Sequence, residues 1–188
     1  MATIEAASPS RIPAKHASIA VLVLAALAIG GAWFSQLVLG LAPCELCLLQ
    51  RWPYYIGVPI AAVTTALALR SGSTRLVASL LSMLALIFLV SAGLAAYHAG
   101  VEWGFWPGPS ACTGQYVAPA STDDFLKSLD AASSVRCDEA AVRFLGLSLA
   151  GWNVLASLVI AGIAGLGAKG AGPRKPGTAQ ALAANHSG

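Results

Sequence analysis

The sequence predicts an all-α membrane protein, a bundle of four transmembrane helices with two loops on the outer side. Three observations predict it. Of 188 residues, 57% are hydrophobic and only 10% charged, against roughly 25% charged in an ordinary soluble domain, and the mean hydropathy is +0.73. No Asp, Glu, Lys or Arg falls between Lys15 and Glu45, Arg51 and Arg70, Arg75 and Glu102, or Arg143 and Lys169. Three of these gaps exceed the ~20 residues needed to cross the hydrocarbon core as a helix, and the second falls just short, with a charge at each end that can snorkel. Lysine and arginine are also divided unevenly between the connections, as an oriented membrane protein requires.

The elements follow in chain order. Arg11 and Lys15 precede a first span at Ser18–Leu39. A short connection, about 40–52, leads to a second span, Pro53–Leu69, which opens on a proline suited to a first helical turn. Arg70 and Arg75 flank the link to the third span, Leu76–Tyr97. A long loop, about 98–144, precedes the fourth, Leu145–Gly167, where Ala161, Gly162 and Gly165 suit close helix packing. Backbone in lipid must satisfy its own hydrogen bonds, so each span is expected to be helical. Seven of the eleven basic residues (Arg11, Lys15, Arg70, Arg75, Lys169, Arg174, Lys175) fall on one side, which the positive-inside rule makes cytoplasmic. The other side holds the remaining four and seven of the eight acidic residues. Both termini are then cytoplasmic. The net charge of +3 reflects topology, and no nucleic-acid partner is expected.

The domain division is a tail at 1–16, a membrane domain at 17–167 and a tail at 168–188. Residues 1–14 and 170–188, rich in Ala, Gly, Ser and Pro, are expected to be disordered. The first span follows a basic stretch as a signal peptide does. However, Pro43 occupies the position before Cys44 where a lipoprotein cleavage site needs a small residue, and three spans follow. The span is therefore read as retained. In the long loop, Ser121–Leu129 reads as a short capped amphipathic helix.

Chemistry concentrates in four cysteines, Cys44, Cys47, Cys112 and Cys137, all on the outer side and none within a span. Four cysteines allow three pairings. Cys44 and Cys47 are close enough to pair locally, and Cys112 and Cys137 would then close the long loop. Closing that loop stabilises by ~3 kcal/mol in the chain-entropy model, so a structural bridge is a sufficient account of the second pair. It is a poor account of the first, because a C-x-x-C ring closes almost no loop. That spacing instead offers a lowered thiol pKa and a switchable disulfide. Zinc held by all four cysteines is the competing account. Cys112 and Cys137 lack a second C-x-x-C and the outer compartment disfavours free thiolates, so no metal is expected.

Arg51 stands four residues after Cys47, one helical turn away, although Trp52-Pro53 interrupts a continuous helix. A guanidinium there stabilises a thiolate or holds a polar oxygen of a lipid-soluble ligand; the plainer reading is a snorkelling anchor. Trp52, Tyr54 and Tyr55 crown the second span, and Tyr97, His98, Trp103, Phe105 and Trp106 the third. Singly they form an interfacial belt; together they wall a slot for an aromatic head group, with His98 placed to donate a hydrogen bond or proton to it.

These residues resemble a known family. C-E-L-C-x-x-x-R after the first span, the short basic link, the run YHAGVEWGFWPGPSAC and the run CDEAAVRFLGLS entering the fourth span are similar to the bacterial disulfide-bond formation protein DsbB. The resemblance covers about 17–167 and implies a four-helix inner-membrane enzyme with periplasmic cysteine loops. Such an enzyme reoxidises a periplasmic DsbA-like thiol oxidase and passes the electrons to the membrane quinone pool, with ubiquinone favoured over menaquinone. It implies disulfides Cys44–Cys47 and Cys112–Cys137, all four cysteines catalytic, Cys47 as the thiolate against the quinone, and Arg51 and His98 as quinone-binding residues. Gln50 stands where some members carry an acidic residue.

Three other readings predict different things. A vitamin-K-epoxide-reductase-like oxidase would carry its quinone-side C-x-x-C late in the chain. A four-span structural protein with inert outer disulfides would dispense with Arg51. A transporter would need an ionisable carrier inside a span, and none is present there.

Overall fold

The computed structural model describes residues 12–70, 74–109, 121–123 and 136–171. Its elements are α1 (Ala14–Leu37), α2 (Glu45–Leu49), α3 (Trp52–Leu69), α4 (Thr74–Glu102), β1 (Arg143–Phe144), β2 (Leu147–Ser148) and α5 (Leu149–Ala171). Four helical stretches are long and apolar enough to cross a membrane, α2 and α3 counting together as Glu45–Leu69. The four-helix expectation therefore holds, with shifted boundaries and with both expected disordered tails lying almost wholly outside the described residues. Of the expected amphipathic helix, only Ser121–Asp123 is described.

Three boundary differences have local causes. The connection expected as a loop at 40–52 contains α2, whose N-cap Cys44 accepts the Cys47 N–H at 3.2 Å. Helix α4 continues five residues past the expected end at Tyr97. It stops where Gly104 turns left-handed (φ 73°), with Phe105 N–H reaching Gly100 O and Gly104 N–H reaching Val101 O, a Schellman closure. Trp106 folds back over Gly100, where any side chain would collide with the indole, and donates from Nε1 to Tyr97 O at 2.9 Å. Helix α5 begins four residues later than expected, because Leu145 (φ 51°) and Gly146 (φ 81°) make the two-residue turn of a small hairpin. That hairpin pairs Arg143 with Ser148 and Phe144 with Leu147. Ser148 Oγ then caps α5 by accepting the Gly151 N–H at 3.1 Å.

The helices close a ring: α1 packs on α3, α3 on α4, α4 most extensively on α5, and α5 back on α1. Small residues let them approach. Gly167 on α5 faces Ala17 on α1 so closely that a Cβ there would overlap the Ala17 methyl. Gly57 on α3 makes room for the Phe88 ring, which meets Tyr54 edge-on at 5.3 Å. Phe88, Leu81, Leu84, Val21 and Ile160 fill the middle. Large apolar side chains such as Val63, Leu86 and Val90 point outward, the arrangement lipid demands and water would not tolerate.

Candidate functional site

At the end of the bundle that holds α2 and the end of α4, a cavity of about 410 Å³ opens between α1, the 41–44 connection, α2, the start of α3, the end of α4 and the start of α5. Its size is that of a small-molecule site. Leu27, Ala28, Ile29, Leu149, Trp152 and Ala156 supply apolar walls, and Cys44, Cys47, Gln50, Arg51, His98, Glu102 and Asn153 gather at the polar end.

Cys44 is buried and Cys47 half-buried; both are free thiols, with their sulfurs 2.7 Å apart. Cys44 Sγ also lies 3.6 Å from His98 Nε2. The hydrogen bond from Cys47 outweighs burial and, with the His98 contact, lowers the Cys44 thiol to about 4. These contacts favour a thiolate at Cys44 in the free dithiol. The reason is the N-cap position of Cys44, which collects the Cys47 N–H, the Cys47 thiol and the imidazole at one sulfur.

His98 is held by a chain of amides. Tyr54 OH donates to Asn153 Oδ1 at 2.5 Å, Asn153 Nδ2 donates to Gln50 Oε1 at 2.6 Å, and Gln50 Nε2 meets His98 Nδ1 at 2.6 Å. With the Gln50 oxygen engaged by Asn153, its nitrogen faces the ring. Nδ1 then accepts, and Nε2–H points at Cys44. Tyr54 OH also lies 3.1 Å from Ser157 Oγ, which donates to Ser91 at 2.9 Å. One polar thread therefore joins α3, α4 and α5. Glu102, one turn beyond His98, puts Oε1 3.8 Å from His98 Nε2; its side chain is 5% exposed, and Oε2 is buried without a partner among the described residues.

Arg51 is only 7% exposed, so it does not snorkel. Its guanidinium donates to Gln36 Oε1 at 2.7 Å and Ala32 O at 3.3 Å, and lies 5.3 Å from the Trp33 ring centroid. Two of its five N–H donors are thereby used, and it shares the cavity with Cys47.

Cys137 is fully buried in a cluster with Cys44, Leu46 and Val101 and is disulfide-bonded. Its backbone lies within hydrogen-bonding reach of the His98 ring. Cys112 lies outside the described residues. Beside Cys137, Arg136 grips Asp138 in two hydrogen bonds of 3.0 and 2.6 Å, which holds the Asp138 carboxyl below the usual carboxylate range.

The expected aromatic slot needs correction. Of the seven rings named from the sequence, only Tyr54 lines the cavity. Trp52 pairs with Tyr55, Tyr97 stacks on Trp106, and Trp103 meets Phe105, all six at least two-fifths exposed. They form the belt that each ring taken singly predicted: Trp52 and Tyr55 on an exposed face of α3, Tyr97 on α4, and Trp103, Phe105 and Trp106 in the turn beyond it. Gln36, Glu102, Trp152 and Asn153 were not singled out from sequence, and Gln50 was marked only by the family resemblance, not as the partner of His98. The spacing His98–Glu102, i to i+4 on one helix face, and a lone asparagine in an apolar span were the available signals.

Residues 14–167 match the family of the disulfide bond formation protein DsbB. The chain belongs to the DsbB family. It is 32% identical over 131 residues to disulfide bond formation protein B 1 of Pseudomonas fluorescens, covering 68% of this chain and 73% of the relative. It is 29% identical over 130 residues to disulfide bond formation protein B of Polaromonas, covering 68% and 74%. An uncharacterized protein of Rickettsia prowazekii is 24% identical over 148 residues, covering 78% and 83%. No solved structure matches the chain. Family membership and the four apolar helices make this DsbB-family chain a multi-pass membrane protein and a disulfide-forming oxidoreductase.

Proposed function

We propose that the protein reoxidises a periplasmic DsbA-like thiol oxidase and passes the electrons to a quinone of the inner membrane, with both termini cytoplasmic and the cysteine loops periplasmic. The observation that carries this reading is the single cavity in which a C-x-x-C dithiol, His98 and Arg51 meet beneath apolar walls. The residues fit a quinone: an apolar chamber for a ring and tail, and unused guanidinium donors for a carbonyl oxygen. A bound quinone would supply a two-electron acceptor soluble in lipid.

The chain's own steps are thiol exchanges. A partner thiolate attacks Cys112, the Cys112–Cys137 bond breaks, and Cys137 leaves as a thiolate. The partner's second thiolate then attacks the mixed disulfide, and the partner departs oxidised. Cys137, packed against Cys44, attacks the Cys44–Cys47 disulfide at Cys44 and releases Cys47 as a thiolate facing the cavity. Attack by Cys112 on Cys137 restores the loop disulfide and returns Cys44 as a thiolate beside His98. Two electrons then leave the two thiolates as the Cys44–Cys47 bond re-forms, and the two protons released when the partner's thiols ionised balance the acceptor's reduction. His98 holds and returns a proton at Nε2. Arg51 orients the acceptor oxygen and stabilises negative charge there. The thiolate released at Cys47 faces the cavity and the one returned at Cys44 stays beside His98, so both are present when the electrons leave.

The test uses purified protein in detergent with a reduced C-x-x-C oxidase of the DsbA type and a soluble ubiquinone analogue, followed by loss of quinone absorbance. Turnover is expected to require the reduced oxidase and to vanish in Cys47→Ser. Absence of turnover with both ubiquinone and menaquinone analogues refutes the reading and leaves a protein with inert disulfides.

A further inference from the structure

The polar end of the cavity carries four donors that suit a metal ion as well as an electron path. The ligand atoms of Cys44, Cys47 and His98 all lie within 4.8 Å of one another. Tetrahedral zinc, with about 2.3 Å to sulfur and about 2.05 Å to nitrogen, sets a sulfur–nitrogen edge of about 3.6 Å and a sulfur–sulfur edge of about 3.8 Å. The Cys44 Sγ–His98 Nε2 separation is already 3.6 Å. The sulfurs, now 2.7 Å apart, need only open by about 1 Å, a rotamer-scale movement of the half-buried Cys47. A fourth donor stands beside this group rather than within it, and joins it by a side-chain rotation. Glu102 is 95% buried by its side chain, keeps Oε1 3.8 Å from His98 Nε2, lines the same cavity and leaves Oε2 unpartnered among the described residues. A buried carboxylate oxygen without a donor asks for a proton or a cation.

We propose that the reduced protein binds one thiophilic divalent cation of the zinc class through Cys44, Cys47, His98 and Glu102, and that the bound ion locks the dithiol out of electron transfer. Binding needs both sulfurs as thiolates, so the thiol proton is released as the metal enters, with no change in oxidation state. The ion occupies the sulfur lone pairs that disulfide formation requires, and it does not bind once Cys44–Cys47 is closed. The site is therefore available only in the reduced stage of the cycle. Gln50 is the outer partner that fixes the ring: ligation through Nε2 requires Nδ1–H to donate to the Gln50 amide oxygen. That is a half-turn of the Gln50 amide, matched by one at Asn153, with the Tyr54 hydroxyl able to accept from Asn153 and still donate to Ser157. Metal binding itself is independent of the quinone reading; only its inhibitory consequence rests on that reading.

The experiment titrates Co²⁺ into the reduced full-length protein in detergent, without oxygen, and records the visible spectrum. One Co²⁺ per chain is expected, with thiolate-to-cobalt charge transfer and the strong visible bands of a tetrahedral site. Both vanish when the dithiol is oxidised and in Cys47→Ser. Glu102→Gln and His98→Ala weaken binding, and Gln50→Ala weakens it by about 10- to 100-fold, the usual effect of removing the partner of a metal-bound histidine. Zn²⁺ displaces Co²⁺ and stops quinone-analogue reduction, and a chelator restores it. An octahedral spectrum, or affinity unchanged in both Glu102→Gln and His98→Ala, overturns the proposal. Cobalt binding as described without any quinone turnover overturns the quinone reading and leaves this site standing. Turnover without the cobalt spectrum does the reverse.

Discussion

Replacing Arg51 by alanine removes the guanidinium next to the dithiol end of the cavity; Arg136, which also lines it, is engaged by Asp138. Two of the Arg51 N–H groups go to Gln36 Oε1 and Ala32 O, and Trp33 lies beside it, so its position is set before any ligand arrives. Ala32 O is also an acceptor for Ser35 and loses little when Arg51 goes. The main loss falls on the acceptor oxygen that the remaining N–H groups would bind. A hydrogen bond to a charged donor is worth about 1.5–3 kcal/mol. At about 1.4 kcal/mol per tenfold, that lowers kcat/KM for the quinone analogue by roughly 10- to 150-fold. Lysine keeps the charge but loses the fork, and recovers only part of the loss. The assay is steady-state quinone-analogue reduction with saturating reduced partner. It is paired with a quench of the thiol-exchange half-reaction, which should proceed at the parental rate because exchange runs between Cys137 and Cys44 while the Arg51 guanidinium is tied to Gln36 and Ala32. A kcat/KM for Arg51→Ala within twofold of the parent, with normal exchange, would refute the reasoning and return Arg51 to a purely structural tie between α1 and α3.

Tyr54→Phe removes the hydroxyl between Asn153 and Ser157. Interhelical hydrogen bonds in membranes average about 0.6 kcal/mol and reach about 1.7, so a loss within that range is expected in a reversible detergent-unfolding titration. A loss above it would mean the ring's packing against Phe88 had also failed. Gly167→Ala drives a methyl into Ala17, and overpacking of this kind costs about 1–3 kcal/mol. The double variant with Ala17→Gly should recover most of that, and additive losses would show that the two helices do not meet there. The Asp138 carboxyl is held down by Arg136, so its ion-pair contribution is present above the ordinary carboxylate pKa and is lost as pH falls through the lowered folded value. In Arg136→Ala the carboxyl resonance should titrate at higher pH than in the parent, and an unchanged midpoint would show that the pair does not form in solution.

Charge gaps revealed the four spans to within a few residues because crossing lipid forbids charge. Cys44, Cys47, Arg51 and His98 were legible for a related reason: each is conspicuous in an apolar chain, two make up the C-x-x-C, and Arg51 follows it by four residues. Residues that work by neutral hydrogen bonding were not. Gln36, Gln50 and Asn153 carry no charge and barely disturb hydropathy, and their partners are 15, 48 and 103 positions away. Glu102 was visible only as the end of a gap. Its burial depends on α4 continuing to a glycine stop beyond the expected span. The hairpin at 143–148 turns on Leu145-Gly146, which lacks the usual asparagine or aspartate of such turns.

The thread from Ser91 through Ser157, Tyr54, Asn153 and Gln50 to His98 has a consequence for how the molecule can change over time. It ties the imidazole through Gln50 to side chains of α3, α4 and α5, while the long outer connection meets the same ring at Cys137. Substitutions in the membrane helices can therefore retune the imidazole without altering a cysteine, and the dithiol and the group beside it become separately heritable traits.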